Sequence, residues 1–228
     1  MDFYGLQKMT LLDFPGHVAA TVFTGGCNFR CPFCHNALLV NVETDVITEN
    51  EILDFLSKRK GILDGVAITG GEPLMHAEII PFMQKVRDMG FMIKLDTNGS
   101  FPERLKEIVR LRLCDCVAMD IKNCKEKYAE TCGLERADID KISESVDFLI
   151  GSGIDFEFRT TVVRNFHSTE DIEKIAQWIG KAPKYFLQNF VDSGALLGEN
   201  IEGVSKEELE KMRESALKWA KSCEIRGI

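Results

Sequence analysis

Hydrophobic and polar positions along this chain follow two alternating patterns, one typical of buried strands and one typical of amphipathic helices. Short apolar, β-branched runs predict six strands: Val18–Thr24, Gly65–Thr69, Phe91–Thr97, Asp115–Ile121, Ile154–Val163 and Tyr185–Phe190. Between them, apolar residues recur three and four positions apart, as on one face of a helix. Strand followed by helix is the repeating unit, and it predicts a parallel sheet with right-handed crossovers.

Local signals mark where the predicted helices begin and end. The helices begin at Thr48, Glu78, Pro102, Asp138, Ser168 and Ser205. At two of these positions, 48 and 205, a glutamate three residues later completes a capping box. Glycines are predicted to end three helices, at Gly90, Gly151 and Gly180, and Trp219 is predicted to lie on the last helix.

Six strand–helix units are compatible with two α/β architectures. One is an open doubly wound sheet, and the other is a barrel with fewer units than the full eightfold barrel. We expect a partial (β/α)6 TIM-type barrel with parallel strands. The chain has 228 residues and no repeat, low-complexity segment or linker, so we expect a single domain spanning 1–228.

Composition and charge exclude several classes of function. Acidic residues number 36 and basic residues 28, so the net charge is −8, which argues against binding the phosphate backbone of nucleic acids. The uncharged run Phe14–Phe29 contains Pro15 and three glycines and is no membrane span. No export signal is visible, so we expect a cytoplasmic protein with reduced thiols.

Three of the eight cysteines form a CxxxCxxC cluster, Cys27, Cys31 and Cys34. Thiolates select zinc, copper(I) or iron–sulfur clusters. Structural zinc normally takes four ligands, and the nearest fourth candidate, His35, adjoins Cys34 and is poorly placed to fold back. A [4Fe-4S] cluster held by three thiolates leaves one iron open to a substrate or cofactor. Spacing alone leaves three alternatives: a cluster, zinc with a distant ligand, or inert thiols.

Polar residues follow all six predicted strands at their carboxyl ends, where parallel α/β folds place active sites. Because side chains alternate along a strand, polar residues of one strand share a face. On the third predicted strand the set is Lys94, Asp96 and Asn98, and on the fourth it is Ala118, Asp120 and Lys122. On the fifth strand Glu157, Arg159 and Thr161 share one face, and Phe156 and Phe158 lie on the opposite face. We expect the helices to cover the apolar faces and the charged faces to line an interior cavity.

Together these motifs resemble the radical S-adenosylmethionine (SAM) enzymes. The resemblance rests on the CxxxCxxC cluster, Phe33 before its last cysteine, and Gly70-Gly71-Glu72-Pro73. Further segments are similar to activating enzymes of glycyl-radical proteins. The similarity is greatest to the enzymes that activate anaerobic (class III) ribonucleoside-triphosphate reductase. The segments are residues 10–16, Cys34-His35-Asn36, and residues 94–99, 119–122 and 158–161. The similarity covers about residues 3 to 190.

The resemblance implies a site built around two cofactors. Cys27, Cys31 and Cys34 would bind three irons of a [4Fe-4S] cluster, and the fourth iron would bind the amino and carboxylate groups of SAM. The resemblance also assigns contacts to the rest of SAM. The backbone of Gly70, Gly71 and Glu72 and the Asp96 carboxylate would hold the SAM ammonium, and Lys122 would pair with the SAM carboxylate. Asp120 and Arg159 would contact the ribose or the carboxylate, and Phe33 and Asn36 would lie near the adenine. A monovalent cation at Asp96, Thr97 and Asp120 is a further implication.

The reaction and partners are implied in the same way. Reductive cleavage of SAM would give methionine and a 5′-deoxyadenosyl radical, which would abstract hydrogen from a glycine of the class III reductase. An electron donor such as flavodoxin or ferredoxin would reduce the cluster. Two alternatives are a small-molecule radical SAM enzyme similar to 7-carboxy-7-deazaguanine synthase, and a non-enzymatic zinc-binding module.

Residues outside these motifs receive simpler interpretations. Cys114, Cys116, Cys124 and Cys132 are interpreted as packed thiols, with an auxiliary iron–sulfur cluster as the alternative. His17, His76 and His167 are interpreted as surface or hydrogen-bonded histidines rather than ligands.

Overall fold

A computed structural model describes residues 1–192, 194 and 196–227 of the chain. Ile228, the last residue of the predicted domain, therefore lies outside the described part. The strands are β1 (Asp2–Phe3), β2 (Gly5–Thr10), β3 (Ala19–Thr24), β4 (Ile47–Thr48), β5 (Gly65–Gly70), β6 (Met92–Thr97), β7 (Cys116–Asp120), β8 (Asp155–Val162), β9 (Tyr185–Asn189) and β10 (Glu224–Arg226).

Helices follow most of the strands, as the sequence pattern predicts. They are α1 (Ala37–Val40), α2 (Glu49–Ser57), α3 (Ile79–Asp88), α4 (Pro102–Arg110), α5 (Tyr128–Thr131), α6 (Ile139–Ser152), α7 (Thr169–Trp178) and α8 (Lys206–Ala216), with short 3₁₀ turns at Pro73–Met75 and Lys125–Lys127. No helix in the described residues is long and apolar enough to span a bilayer.

The main sheet has the hydrogen-bonded strand order β10-β9-β8-β7-β6-β5-β3-β2. β3 pairs with β5, β5 with β6, β8 with β9 and β9 with β10 in parallel, whereas β2 is antiparallel to β3. From β3 to β9 the order in space is the order in the chain, so no strand order reverses as it does in a doubly wound sheet. This winding confirms the predicted α/β class and partial barrel, and the antiparallel β2, which was not predicted, is an addition to the parallel strands.

The chain divides into two compact units. The first comprises Met1–Asn28, Leu38–Thr97 and Glu103–Val117, and the second comprises Phe29–Ala37, Asn98–Pro102 and Ala118–Ile228. In the first unit, the fully buried rings of Phe3 and Phe82 lie 4.6 Å apart between centroids. In the second unit, Tyr128, Tyr185 and Phe158 are the largest fully buried side chains. Each unit thus has an apolar core, and the single domain over 1–228 stays a prediction.

The helix signals are confirmed at most positions and wrong at two. Capping boxes form at Thr48, Ser168 and Ser205, and Asp138 caps α6. Helix α6 does not end at Gly151 but continues to Ser152, because Gly153 is the glycine that takes the left-handed conformation at φ 77°. Helix α8 ends at Ala216, so Trp219 lies beyond it and is half-exposed.

Two strands of the main sheet, β2 and β10, are absent from the sequence-based prediction. Most of β2 is exposed or half-buried, so it has no apolar alternation to mark it, and β10 is only three residues long. Through β10, Arg226 reaches Glu157 of β8 with two hydrogen bonds of 2.9 and 3.0 Å. The Arg226 guanidinium also lies 3.3 Å from the ring centroid of Phe186. Glu157 is therefore the buried partner of an arginine rather than a free carboxylate.

Candidate functional site

In the first unit, the glycine pair Gly70-Gly71 at the carboxyl end of β5 lies against the backbone at the carboxyl end of β3. The amides of Gly71 and Glu72 donate to the carbonyls of Thr24 and Gly26, each at 2.9 Å. A Cβ on Gly70 would lie 2.4 Å from the Thr24 carbonyl oxygen, and one on Gly71 would lie 1.8 Å from the Gly26 oxygen. Only glycine fits this approach, so the two glycines set the backbone position of the segment that leads to Cys27.

Polar side chains of the first unit hold the ends of β5 and β6. The Glu72 carboxylate is fully buried and accepts hydrogen bonds from the Leu74 amide at 3.0 Å and the Thr97 hydroxyl at 2.7 Å. Lys94, also buried, forms an ion pair with Asp96 on the same face of β6. The shared face predicted for these residues is therefore confirmed, and Asp96 has a lysine as its partner.

Substitution of Gly71 tests the close approach directly. We expect Gly71→Ala to reduce the free energy of unfolding by about 2 kcal/mol or more, because the new methyl group overlaps a backbone oxygen that cannot rotate away. The matched control is Gly151→Ala, where a Cβ meets nothing within 4 Å inside helix α6. That variant is expected to gain about 0.5 to 1 kcal/mol from helix propensity. Urea unfolding measures both, and equal stabilities would contradict the packing argument.

In the second unit, the cysteine loop turns tightly after Arg30. The Cys34 amide donates to the Cys31 carbonyl at 3.0 Å, and the Asn36 backbone amide donates to the Cys34 thiol. Burial raises the pKa of the Cys34 thiol. By contrast, a hydrogen bond from the Cys132 side chain lowers the pKa of Cys31 despite its burial, with Lys122 acting in the same direction. The Cys31 environment thus favours a thiolate, the form that binds metals.

Two cations and one carboxylate form an ion-pair network at the ends of β7 and β8. Asp120 accepts from Arg159 Nε at 2.9 Å and from Lys122 Nζ at 3.0 Å. Burial alone would raise the pKa of Asp120, but Arg159 and Lys122 hold it well below its usual range. Burial would likewise lower the pKa of Lys122, and Asp120 raises it instead. All three groups are therefore charged at neutral pH.

Aromatic and histidine side chains pack around the loop in the second unit. Phe33 is buried, with its ring centroid 5.8 Å from that of Phe166 and 6.4 Å from that of His167. His167 accepts from the Val163 amide at 3.1 Å and hydrogen-bonds the Lys122 carbonyl at 2.8 Å. Burial lowers the pKa of His167, so its imidazole is neutral at pH 7. The ring contacts Phe33 on one side and hydrogen-bonds the backbone of Lys122 on the other.

Two further histidines, His35 and His76, also form hydrogen bonds with backbone carbonyls. His35 stacks on Phe190 at 5.1 Å and hydrogen-bonds the Val191 carbonyl at 2.8 Å. His76 hydrogen-bonds the Gly25 carbonyl at 2.8 Å. The prediction that His76 and His167 are hydrogen-bonded residues is confirmed.

The predicted site residues are divided between the two units. The first unit holds Cys27, Gly70, Gly71, Glu72 and Asp96, and the second holds Cys31, Phe33, Cys34, Asn36, Asp120, Lys122 and Arg159. Among the described residues, no group of three or more His, Cys, Asp or Glu side chains lies close enough together to bind a metal ion. Ligation by the three cysteines therefore stays a prediction.

Most of the remaining cysteines are buried thiols without a disulfide. Burial raises the pKa of Cys114 and Cys223 to about 12 and that of Cys124 to about 11, so these thiols stay protonated. Cys132 differs because its side chain contacts Cys31. The sequence marked Cys132 only as an additional cysteine, and no spacing rule connects it to the CxxxCxxC cluster.

Comparison with known proteins identifies the family. The sequence profile of the Radical SAM superfamily matches residues 21–179 of this chain. The chain belongs to the radical SAM superfamily. A protein of Methanocaldococcus jannaschii named as a candidate glycyl-radical enzyme activating enzyme is 31% identical over 98% of this chain and 95% of its own length. This radical SAM protein is therefore a member of the glycyl-radical enzyme activating enzymes.

Two further similarities fit this assignment. The pyruvate formate-lyase-activating enzyme of Clostridium pasteurianum is 29% identical over 77% of this chain and 75% of its own length. Among solved structures, a radical SAM methyltransferase from Sphaerobacter thermophilus has a TM-score of 0.75 at 16% identity, covering 94% of this chain and 67% of that one. The second similarity concerns the fold alone.

Membership of the radical SAM superfamily implies a [4Fe-4S] cluster and SAM, and the residues present fit both groups. Three cysteine thiols within eight residues are the soft donors that iron–sulfur clusters require. Cys31 lies where the thiolate is favoured. Lys122 and Arg159 are cations of the kind that suit a carboxylate, and Asp96 offers a carboxylate that suits an ammonium group.

Proposed function

We propose that this radical SAM activase generates a glycyl radical in an anaerobic (class III) ribonucleoside-triphosphate reductase. Membership of the glycyl-radical activating enzymes over nearly the whole chain supports the reaction class. The target is supported by the segments that resemble the reductase-activating enzymes, above all residues 10–16 and 94–99. Pyruvate formate-lyase is the second candidate target, because a pyruvate formate-lyase-activating enzyme is among the relatives.

When bound, the cluster and SAM supply a 5′-deoxyadenosyl radical that takes a hydrogen atom from Cα of the target glycine. The chain's own task is to hold, orient and shield the reactants. Cys27, Cys31 and Cys34 hold three irons, and the lowered pKa of Cys31 favours its thiolate form. Flavodoxin or ferredoxin supplies the electron, and we place the reaction in a reducing, oxygen-free cytoplasm.

The amino-acid part of SAM is held by groups of opposite charge. The ammonium is held by the Gly70–Glu72 backbone and Asp96, whose own lysine partner keeps it oriented. Lys122 binds the carboxylate, and its ion pair with Asp120 keeps the ammonium group charged and in place. Arg159 and Asp120 contact the ribose or the carboxylate.

The adenine is bounded by the cysteine loop. Phe33 offers a ring held in place by Phe166 and His167, and Asn36 offers an amide for the base. A monovalent cation at Asp96, Thr97 and Asp120 rests on the resemblance alone, since Lys94 pairs with Asp96 and the Thr97 hydroxyl donates to Glu72.

The target is tested with anaerobically reconstituted protein, SAM, dithionite and each candidate partner in turn. We expect a glycyl-radical electron paramagnetic resonance (EPR) signal with the class III reductase, and none with a reductase whose target glycine is alanine. A signal with pyruvate formate-lyase alone would replace the reductase as the target. Turnover of a pterin-like substrate without a glycyl radical would favour the synthase alternative, and colourless protein with stoichiometric zinc would contradict the cluster.

A further inference from the structure

In or directly after each of the strands β6, β7 and β8, an acidic and a basic residue lie two positions apart, on one face. The three pairs are Lys94 and Asp96, Asp120 and Lys122, and Glu157 and Arg159. On β6 and at the end of β7, the two members of the pair bind each other. On β8 both members bind residues of other strands instead, so this pair needs a separate explanation.

The partner of Glu157 comes from β10, the last strand of the chain. Both Glu157 carboxylate oxygens accept from the Arg226 guanidinium, at 3.0 and 2.9 Å, and the Glu157 side chain is only 7% exposed. The same guanidinium lies 3.3 Å from the ring centroid of Phe186 on β9. The two-point contact and the stacked ring hold the guanidinium in one orientation, in which it occupies both oxygens of Glu157.

Arg159 lies in the same region of the sheet but binds a different carboxylate. Its Nε donates to Asp120 at 2.9 Å. Phe186, the ring against which Arg226 stacks, is the register partner of Arg159 on β9. The two arginines therefore share one region of the sheet, where Glu157 precedes Arg159 by two positions on the same strand face.

We propose that Arg226 is a positioning residue for the SAM site. By holding both oxygens of Glu157, it leaves Arg159 to bind the carboxylate at the end of β7. The inference rests on the proposed function, since it takes Arg159 as a contact of the SAM ribose or carboxylate.

The reason is the cost of leaving Glu157 without a cation. A carboxylate this little exposed needs a positive partner to offset its desolvation. Without Arg226, the cation two positions along the strand would take that role, as on β6 and β7. Arg159 would then turn from Asp120 to Glu157 and leave its place in the SAM site.

Substitutions separate competition for Arg159 from loss of packing. Arg226→Gln removes the charge, and adding Glu157→Gln removes the competing carboxylate as well. Arg159→Gln, alone and together with Arg226→Gln, shows whether Arg226 acts through Arg159. The matched control is Arg213→Gln, because Arg213 also pairs with a glutamate in the second unit, Glu210 on α8, at 2.7 Å.

The experiment is equilibrium dialysis of SAM with each reconstituted holoprotein, with iron content and urea unfolding measured on the same samples. We expect Arg226→Gln to weaken SAM binding about fivefold to twentyfold, and the added Glu157→Gln to restore it to within about twofold of the wild type. In an Arg159→Gln protein, Arg226→Gln is expected to cause less than about a twofold further loss. Arg213→Gln is expected to match the wild type.

A conservative variant keeps the test open if Arg226→Gln does not fold. Arg226→Lys retains the charge but not the two-point contact, and it is expected to weaken SAM binding about twofold to threefold. The added Glu157→Gln is then expected to restore wild-type binding, and failure to do so would count against the inference.

Two results would overturn the inference and leave the proposed function intact. One is wild-type affinity in Arg226→Gln while Arg159→Gln binds SAM weakly. The other is a Glu157→Gln, Arg226→Gln protein that binds SAM as weakly as Arg226→Gln alone, because the loss then comes from packing. Wild-type affinity in Arg159→Gln would instead contradict the proposed contact between Arg159 and SAM, and the inference with it.

Discussion

Cys31→Ala is expected to lower the rate of reductive SAM cleavage by about a thousandfold or more. Two remaining thiolates cannot hold a cluster that exposes only one iron, so both the electron path and the binding site for the amino-acid part of SAM are lost. Formation of 5′-deoxyadenosine, measured by chromatography with dithionite as the reductant, gives the rate. Iron content and visible absorption of the same sample report the cluster.

The control is Cys116→Ala, which removes a half-buried thiol outside the CxxxCxxC cluster. It is expected to cleave SAM at nearly the wild-type rate. Cys31→Ala itself is expected to cost only about 1 kcal/mol of stability, because it removes a single sulfur atom from the loop. Cleavage at the wild-type rate by a folded Cys31→Ala protein would contradict the assignment of this residue.

Asp120→Asn is expected to reduce the free energy of unfolding by about 3 kcal/mol and to weaken SAM binding. The substitution keeps the size of the side chain but removes the negative charge between Arg159 and Lys122, whose side chains are only 14% and 17% exposed. Two neighbouring, largely buried cations then lose an anion that offsets part of their desolvation. Urea unfolding at pH 7 measures the loss of stability, and equilibrium dialysis of SAM with the holoprotein measures binding.

The control and the pH dependence isolate the charge. Asp155→Asn breaks an exposed ion pair with Lys184 and is expected to change the free energy of unfolding by less than about 0.5 kcal/mol.

Because the folded-state pKa of Asp120 is below its usual value, the Asp120 carboxylate stabilises the fold above about pH 4, and this stabilisation is lost as the pH falls further. The wild type should therefore lose more stability than Asp120→Asn between pH 5 and pH 3, and parallel losses would contradict the role of this carboxylate.

The six longer strands from β3 to β9 and most boundaries of the predicted helices follow from local sequence alone, whereas β1, β2, β4 and β10 do not. Capping boxes at Thr48 and Ser205 need only a side chain that reaches an amide three residues away, so their sequence signals are confirmed. The left-handed residue after α6 is less certain from sequence, because Gly151 and Gly153 are both able to adopt it and only Gly153 does.

The candidate site is predicted in its chemistry and only partly in its contacts. The CxxxCxxC cluster and the two glycines at the carboxyl end of β5 carry the family resemblance, because metal donors and close backbone approach demand particular residue types at short spacing. The sequence likewise indicates that Asp120, Lys122 and Arg159 lie at strand ends. It does not reveal that Arg159 and Lys122 share a single carboxylate, since that depends on how β7 and β8 are aligned.

The sequence by itself therefore determined the alternation of strands and helices, the family and the candidate ligands. Only the tertiary structure decided that Cys132 lies beside Cys31, that His167 links Phe33 to the Lys122 backbone, and that Arg226 neutralises Glu157. These contacts join residues far apart in the chain, and no local pattern encodes them. They arise because burial forces polar side chains to find partners wherever the packed elements bring one within reach.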